Sequence, residues 1–523
     1  MDAKARTKPR TIYATWLGLA CALAAVPAYA NGAELTQGDI AWLQRVGFGI
    51  NSVELAEYQK LGRVAFLDQQ LTPPRNVALP PEIANLISSY EAINTPLSTL
   101  AAQLRESRQA IGAMPEGDPQ IAAKKALRIH ARELAMQAQQ ATLLRAIYGA
   151  DQLNEQMVWF WLNHFSVYAA KGGVHIAAAD YEENVIRPHA LGKFRDLLLA
   201  TLESPAMLQF LDNAKNVKGK TNENYARELM ELHTLGVGSG YSQQDVQQLA
   251  LILTGAGVAY GANADAGAAG GAFRRRPDGM VRQGPFVFNP NKHDFSDKIF
   301  LGHTIKGSGV DEIAQAVDLI VQQPACATLI SGQIAQYFVA DRPPAALVEA
   351  MATTFRRTDG DISAVLRTMF LSKQFTASLD AAEPVKKFKD PIQFVVSAMR
   401  LAYDGRPITN AQPLVKWLNQ MGEPVFGRIT PDGWPLDGAS WSSSGQMAKR
   451  FDVAHALGSG ANALFSSGDS APASAAPPDL NNAIYRQTIK PSLSASTSAA
   501  LAKAASPAEW NTFLLSSPDF NYR

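Results

Sequence analysis

The chain has 523 residues, 47% hydrophobic and 18% charged, with two cysteines and a formal charge of +1. That composition belongs to a folded chain long enough to bury a large core, not to a disordered one. Near-neutral charge excludes a generally basic, nucleic-acid-coating surface. Two cysteines exclude a disulfide scaffold and a four-thiolate zinc site.

Residues 1–30 carry the three parts of a secretory leader. Lys4, Arg6, Lys8 and Arg10 form a positive segment, residues 12–26 are apolar, and Ala28-Tyr29-Ala30 offers small residues for cleavage. The apolar run is shorter than the ~20 residues a membrane span requires, and Pro27 ends it. Cleavage after Ala30 is therefore expected, with export to the periplasm or beyond. Loss of this leader, with four basic residues and Asp2, takes the formal charge from +1 to −2. It also leaves Cys326 as the sole cysteine, in a segment that reads as a buried helix and so as an inert core thiol. No later segment offers an uninterrupted apolar span, so no transmembrane anchor is expected after cleavage.

Apolar residues at three- and four-residue spacing predict helices over 41–71, 121–148, 152–166, 189–202, 222–235, 242–253, 310–322, 327–338, 345–354 and 362–370. Strand-like runs are few. Residues 281–288, interrupted by Gly284-Pro285, and residues 299–305 predict a small hairpin or lid. The expected architecture is mainly α, a multi-helix globular bundle with a minor β-hairpin, in which residues 31–523 form one domain. A Gly/Ala-rich stretch over 255–284 and a Ser/Ala-rich stretch over 457–479 read as mobile insertions. The first holds Arg274-Arg275-Arg276, suited to a phosphate or carboxylate contact or to a solvated turn. Solenoid repeats, a P-loop, a G-x-S-x-G elbow and H-E-x-x-H are all absent from the sequence.

Four segments concentrate polar chemistry. In residues 222–236, α-helical geometry places Glu223, Asn224, Arg227, Glu228 and Glu231 within an arc of about 140°. His233 falls on the opposite, apolar arc, where a hydrogen-bonded core histidine is expected. That face is either a solvated amphipathic surface with Glu223–Arg227 and Arg227–Glu231 pairs, or one wall of a polar pocket closed by the glycine-rich turn after Leu235. Asn163 and His164 end a helix that is apolar all round, so each needs a partner; a structural bond and a catalytic or ligand role are both open. His293-Asp294 sets imidazole beside carboxylate in a loop, a common general-base or metal-ligand combination and also a common coincidence. Trp434 and Trp441 lie in a turn-rich loop, suited to stacking on a ligand or to packing on the body.

These segments occur in an order that resembles a bacterial family named only as domain of unknown function 1800. The series runs through Arg45-Val46-Gly47-Phe48-Gly49, Phe160-Trp161-Leu162-Asn163-His164-Phe165 and Ile186-Arg187-Pro188-His189. Leu211-Asp212-Asn213, Asn222 to Leu229, Leu232-His233-Thr234-Leu235-Gly236 and Asp245-Val246 follow. His293-Asp294, Leu301-Gly302, Gly433-Trp434-Pro435 and Ser517-Pro518-Asp519-Phe520 complete it, so that the resemblance spans nearly all of residues 38–523. It implies an exported, mostly helical protein, often encoded beside a sulfatase-like exported family, domain of unknown function 1501. It implies no established reaction.

Two functional readings follow. In the first, the chain is a hydrolase or transferase acting by acid–base or metal-assisted chemistry on an envelope or extracellular substrate. Its catalytic candidates are His164, Glu228, Glu231, His293 and Asp294. Asn163, Asn213, Glu223, Asn224, Arg227 and Trp434 would bind substrate, with the metal and any cofactor unspecified. In the second, the same surface belongs to a non-catalytic binding or assembly factor that works with the 1501-type protein. The first requires Asn163-His164, the Glu223–Glu231 face and His293-Asp294 to converge on one open cleft; the second expects an apolar groove or broad patch, with these polar clusters closed into buried networks.

Overall fold

The computed structural model describes residues 35–72, 79–260, 274–275, 279–379, 386–466 and 476–523. The leader lies outside them, as do most of the Gly/Ala-rich stretch and the centre of the Ser/Ala-rich one. The architecture is mainly α, with helices at almost every segment where apolar periodicity predicts one. Residues Leu35–Arg523 pack as one unit.

Helix boundaries differ where capping and backbone conformation override periodicity. The run predicted over 41–71 is three helices, Gln37–Val46, Ser52–Leu61 and Arg63–Leu71. Asn51 caps the second by accepting from the Glu54 amide at 2.9 Å, and Gly62 separates the last two at φ +76°. Helix Asp118–Tyr148 pairs with Leu97–Gly112 as a projecting arm, in which none of residues 105–133 is buried. Further helices that periodicity did not reveal include Pro391–Tyr403, buried on nearly every side, and Ser444–Gly458.

Among the described residues the β structure is two small antiparallel sheets. Four short strands order as Ala256–Val258, Phe286–Phe288, Val281–Gln283 and Arg274–Arg275, with Ala256 and Val281 both in register with Phe288. The two strand-like runs do not pair with each other; each folds back on itself. In the second, Lys298–Phe300 pairs with His303–Ile305. Leu301 and Gly302 turn between them at φ +47° and +78°, the two-residue turn whose twist suits a hairpin. Asp245 holds that turn through the Leu301 amide at 2.8 Å and closes a capping box with Ser242.

At the centre lies helix Gln152–His164, with Met157, Trp159, Phe160, Trp161 and Leu162 all buried. Arg187 ties it to the neighbouring helical segment, bonding Glu155 at 2.6 Å and Glu182 at 2.7 Å. Trp161 Nε1 donates to the Ala190 carbonyl at 2.9 Å. These contacts account for the Arg187 and Trp161 motifs as core architecture, and they fix the helix whose last residues are Asn163 and His164.

Candidate functional site

The polar segment after Asn222 is not one regular helix. Asn224–Glu228 is α-helical, and Leu229–Thr234 widens into a π-helix. There the Leu235 amide reaches back to the Met230 carbonyl at 2.9 Å, and Thr234 Oγ1 donates to the Leu229 carbonyl at 2.6 Å. Widened turns of this kind are frequent at functional sites. The His233 carbonyl falls at the end of this helix, where it has no intrahelical donor. His164 Nε2 supplies one at 2.9 Å.

That bond sets the histidine's tautomer. Nε2 must carry the proton to donate to a carbonyl, so Nδ1 is the acceptor in the neutral ring. Gln333 Oε1 stands 2.7 Å from Nδ1; two acceptors cannot bond each other, so the neutral ring requires the amide's oxygen and nitrogen to be exchanged, with NH₂ donating to Nδ1. Burial lowers the His164 pKa to about 4, although both hydrogen bonds oppose the shift. The ring is therefore neutral at pH 7, weakly basic, and committed at both nitrogens. It is a cap and a brace, poorly suited to act as a general base.

His233 is fully buried on the apolar side, as the helical arc predicts. The expectation that it would be hydrogen-bonded is not met. Among the described residues neither ring nitrogen has a partner in good bonding geometry, and burial, reinforced by His164, lowers its pKa to about 3, with the Pro431 backbone opposing the shift. Its ring packs instead against Phe165 at 5.1 Å and His164 at 5.8 Å between centroids.

Asn163 is also committed. Its amide clasps the backbone of Trp434, donating to the carbonyl at 2.9 Å and accepting from the N–H at 2.6 Å. Arg428 braces the same loop: it pairs with Asp432 at 2.6 Å and lies over the Trp434 ring at 5.2 Å. Trp434 thus packs on the body, with Trp441 6.3 Å away.

The loop forms a ridge between two open clefts that share Pro431. One, of about 230 Å³, is lined by Asn163, His164, Gln333 and Trp434. The other, of about 630 Å³, is lined by Tyr168, Lys171, Phe210, Asn224, Glu228 and Ile429. Burial raises the Glu228 carboxyl, and the charges of Glu231 and Asp432 add to it while Arg227 opposes. Glu228 and Glu231 make no hydrogen bond or ion pair to a described residue. The other polar groups beside them are engaged. Glu223 pairs with Arg227 at 3.0 Å, and Gln243 joins both. The Arg227–Glu231 pair predicted from spacing does not form; the second Arg227 bond goes to Gln243. Asn224 donates to the Leu211 carbonyl at 3.2 Å, and Lys171 pairs with Asp212 at 2.8 Å.

The other predicted residues lie in networks of their own. His293 is buried, with Nδ1 at 2.8 Å from the Thr254 carbonyl and Nε2 at 2.9 Å from Glu312. Glu312 also receives Lys298 at 2.6 Å and the amides of Ser308 and Gly309. Burial alone would raise the Glu312 carboxyl, but the bonds from His293 and Lys298 outweigh it and hold it low. Asp294 accepts from the Ser296 amide and hydroxyl, closing its own turn. Asn213 is buried, donating to the Leu253 and Ala256 carbonyls. None of these bonds reaches a residue lining either cleft, so His293, Asp294 and Asn213 do not join Asn163, His164 and Glu228 in one polar pocket. Among the described residues no group of three or more His, Cys, Asp or Glu side chains is placed to hold a metal ion. Cys326 is buried and free, its thiol pushed up by burial.

Sequence reasoning missed Gln333, Arg428, Tyr168 and Lys171, which carry no local signal and reach the clefts only through tertiary packing.

A family model, protein of unknown function (DUF1800), matches residues 41–522. The chain belongs to that family. No curated protein and no solved structure matches it significantly. Among the described residues no single helix is long and apolar enough to cross a membrane.

Proposed function

We propose that this member of the family is an exported, non-catalytic binding protein. Its contact surface is the pair of clefts flanking the Pro431 ridge, and its ligand is a partner's peptide segment carrying a basic side chain beside an apolar one. One observation carries this reading: Glu228, with Glu231 beside it, keeps an unpaired carboxylate at a cleft that also offers Tyr168 and Ile429, which is 70% exposed. The side chains better suited to catalysis, His164 and His293, are committed to backbone and carboxylate partners. The leader pattern supports export. A 1501-type exported protein is a natural source of the peptide.

The test is binding of Lys/Arg-containing and neutral peptides to the mature protein, by calorimetry, with wild type and Glu228→Lys. Preference for basic peptides, weakened tenfold or more by the substitution and without turnover, is expected. A second reading, in which the raised Glu228 carboxyl is a general acid, predicts turnover of a peptide or glycan that Glu228→Gln abolishes; that outcome would overturn the proposal.

A further inference from the structure

The two halves of helix Asp118–Tyr148 stand in different surroundings. The second half packs on the body, with Leu134, Ala138 and Ala141 buried. The first half belongs to the projecting arm, where it is covered only on the side that Leu127 shares with those three residues. At about 100° per residue, Ile121, Lys125, Arg128, Ile129 and Arg132 fall within an arc of about 100° on the opposite side. All five are exposed.

Two properties set this face apart from an ordinary solvated one. The first is apolar: Ile121 is 60% exposed and Ile129, two turns on, 45%. Met114, at the tip of the arm, is exposed as well. The second is charge. Between Asp118 and Glu133 the helix carries Lys124, Lys125, Arg128 and Arg132 and no carboxylate. Lys124 donates to the Gln120 side-chain oxygen at 2.8 Å, and among the described residues none of the four cations has a carboxylate in ion-pair distance. Asp118 lies in the first turn, where it complements the helix dipole, and Glu133 flanks the arc; counting both, cations still outnumber carboxylates by four to two. The rest of the arm is balanced, Arg105 and Arg108 against Glu106 and Glu116. Lys124, Arg128 and Arg132 follow one another at four-residue spacing, where like charges weaken a helix and an alternating pattern would support it. Helix formation alone therefore does not account for the pattern.

We propose that this face of the arm docks on an anionic lipid bilayer. The helix lies in the headgroup plane, with Ile121 and Ile129 dipping to the acyl boundary and the four cations among the lipid phosphates. The long Lys and Arg stems allow both contacts at once. The charge excess selects anionic over zwitterionic lipid. A second copy of the chain is a poor occupant, because it would set cation against cation. A single helix about 17 Å long from Ile121 to Arg132 is also a narrow strip beside the ~800 Å² per partner of a stable protein interface, whereas a bilayer needs no matched shape.

The experiment is co-sedimentation of the mature protein, residues 31–523, with vesicles of phosphatidylcholine alone or mixed with phosphatidylglycerol. Binding to the mixed vesicles at low salt is expected, at least about tenfold weaker on phosphatidylcholine and lost at high salt. Each cation near an anionic leaflet is worth about fivefold in binding, so Lys125→Gln with Arg132→Gln should weaken it about twenty-five-fold. Both sites are exposed and glutamine is a good helix former, so this variant is expected to fold with an unchanged thermal midpoint. Ile121→Ser with Ile129→Ser should weaken binding about tenfold with every charge in place. In Ile129→Trp, the emission of the added indole should shift to the blue on mixed vesicles. No binding to mixed vesicles at low salt, or binding that survives the glutamine pair, overturns the proposal. So does binding without a blue shift at position 129. Binding to soluble polyglutamate as tight as to the vesicles would assign the face to an acidic protein segment, and overturns it too.

Discussion

Asn163 and Trp434 stand 271 positions apart, yet the asparagine amide makes both of the bonds that a β-strand neighbour would make to the tryptophan backbone. One side chain at the end of a buried helix thereby fixes the ridge between the two clefts. Asn163→Asp should be worse than its size suggests, because a carboxylate can accept from the Trp434 amide but cannot donate to its carbonyl. A loss of about 1–3 kcal/mol in urea unfolding is expected, with faster hydrogen exchange confined to the 428–436 loop. Unchanged exchange there would refute the clasp.

Gly433 tests the same contact from the other side. It sits at φ +70°, and a Cβ there would collide with the Asn163 carbonyl. Gly433→Ala should therefore cost more than the ~1 kcal/mol of a left-handed alanine alone, measured by denaturation.

Acid should weaken the fold through the buried histidine pair. Both folded-state values, about 4 for His164 and about 3 for His233, lie below the ordinary value of 6.5. Between those limits the unfolded chain binds more protons than the folded one, so stability falls as pH drops from about 6.5 and levels off below about 3. His233→Leu removes two unpartnered ring nitrogens and one titrating group. At pH 7 it should be neutral within about 1 kcal/mol, and its stability should fall less between pH 6.5 and 4 than the wild type's. His233→Ala, which leaves a cavity, should lose about 2–4 kcal/mol. A selective loss of binding at unchanged stability would contradict a core role.

Glu312 is the hub of the His293 network, and its removal strands Lys298 in the interior. Glu312→Gln should cost about 3–5 kcal/mol and loosen the Lys298–Phe300 hairpin, as read by exchange of its amides. It should leave peptide binding at the ridge intact once the protein is folded.

The sequence by itself determined a good deal. Three- and four-residue apolar spacing established the mainly helical class because burying a stripe of side chains is a local, periodic demand; helix Ile362–Phe370 lies where that spacing puts it. The ordered motifs determined the family, and His233 was legible as a core residue from its arc alone. What spacing cannot encode is partnership. Glu231 lost its expected pair with Arg227 because the helix widens at Leu229, a change of phase that depends on what the turn packs against. Likewise His293-Asp294 read as reactive chemistry, but the carboxylate that occupies His293 lies on Glu312, 19 residues on. Tertiary structure decided which polar groups are spent and which are free. In a packed interior each must find a partner or bear the cost of burial, and those partners come from segments that only the fold brings near. By that sorting, what remains open among the described residues is Glu228 with Glu231, beside the ridge.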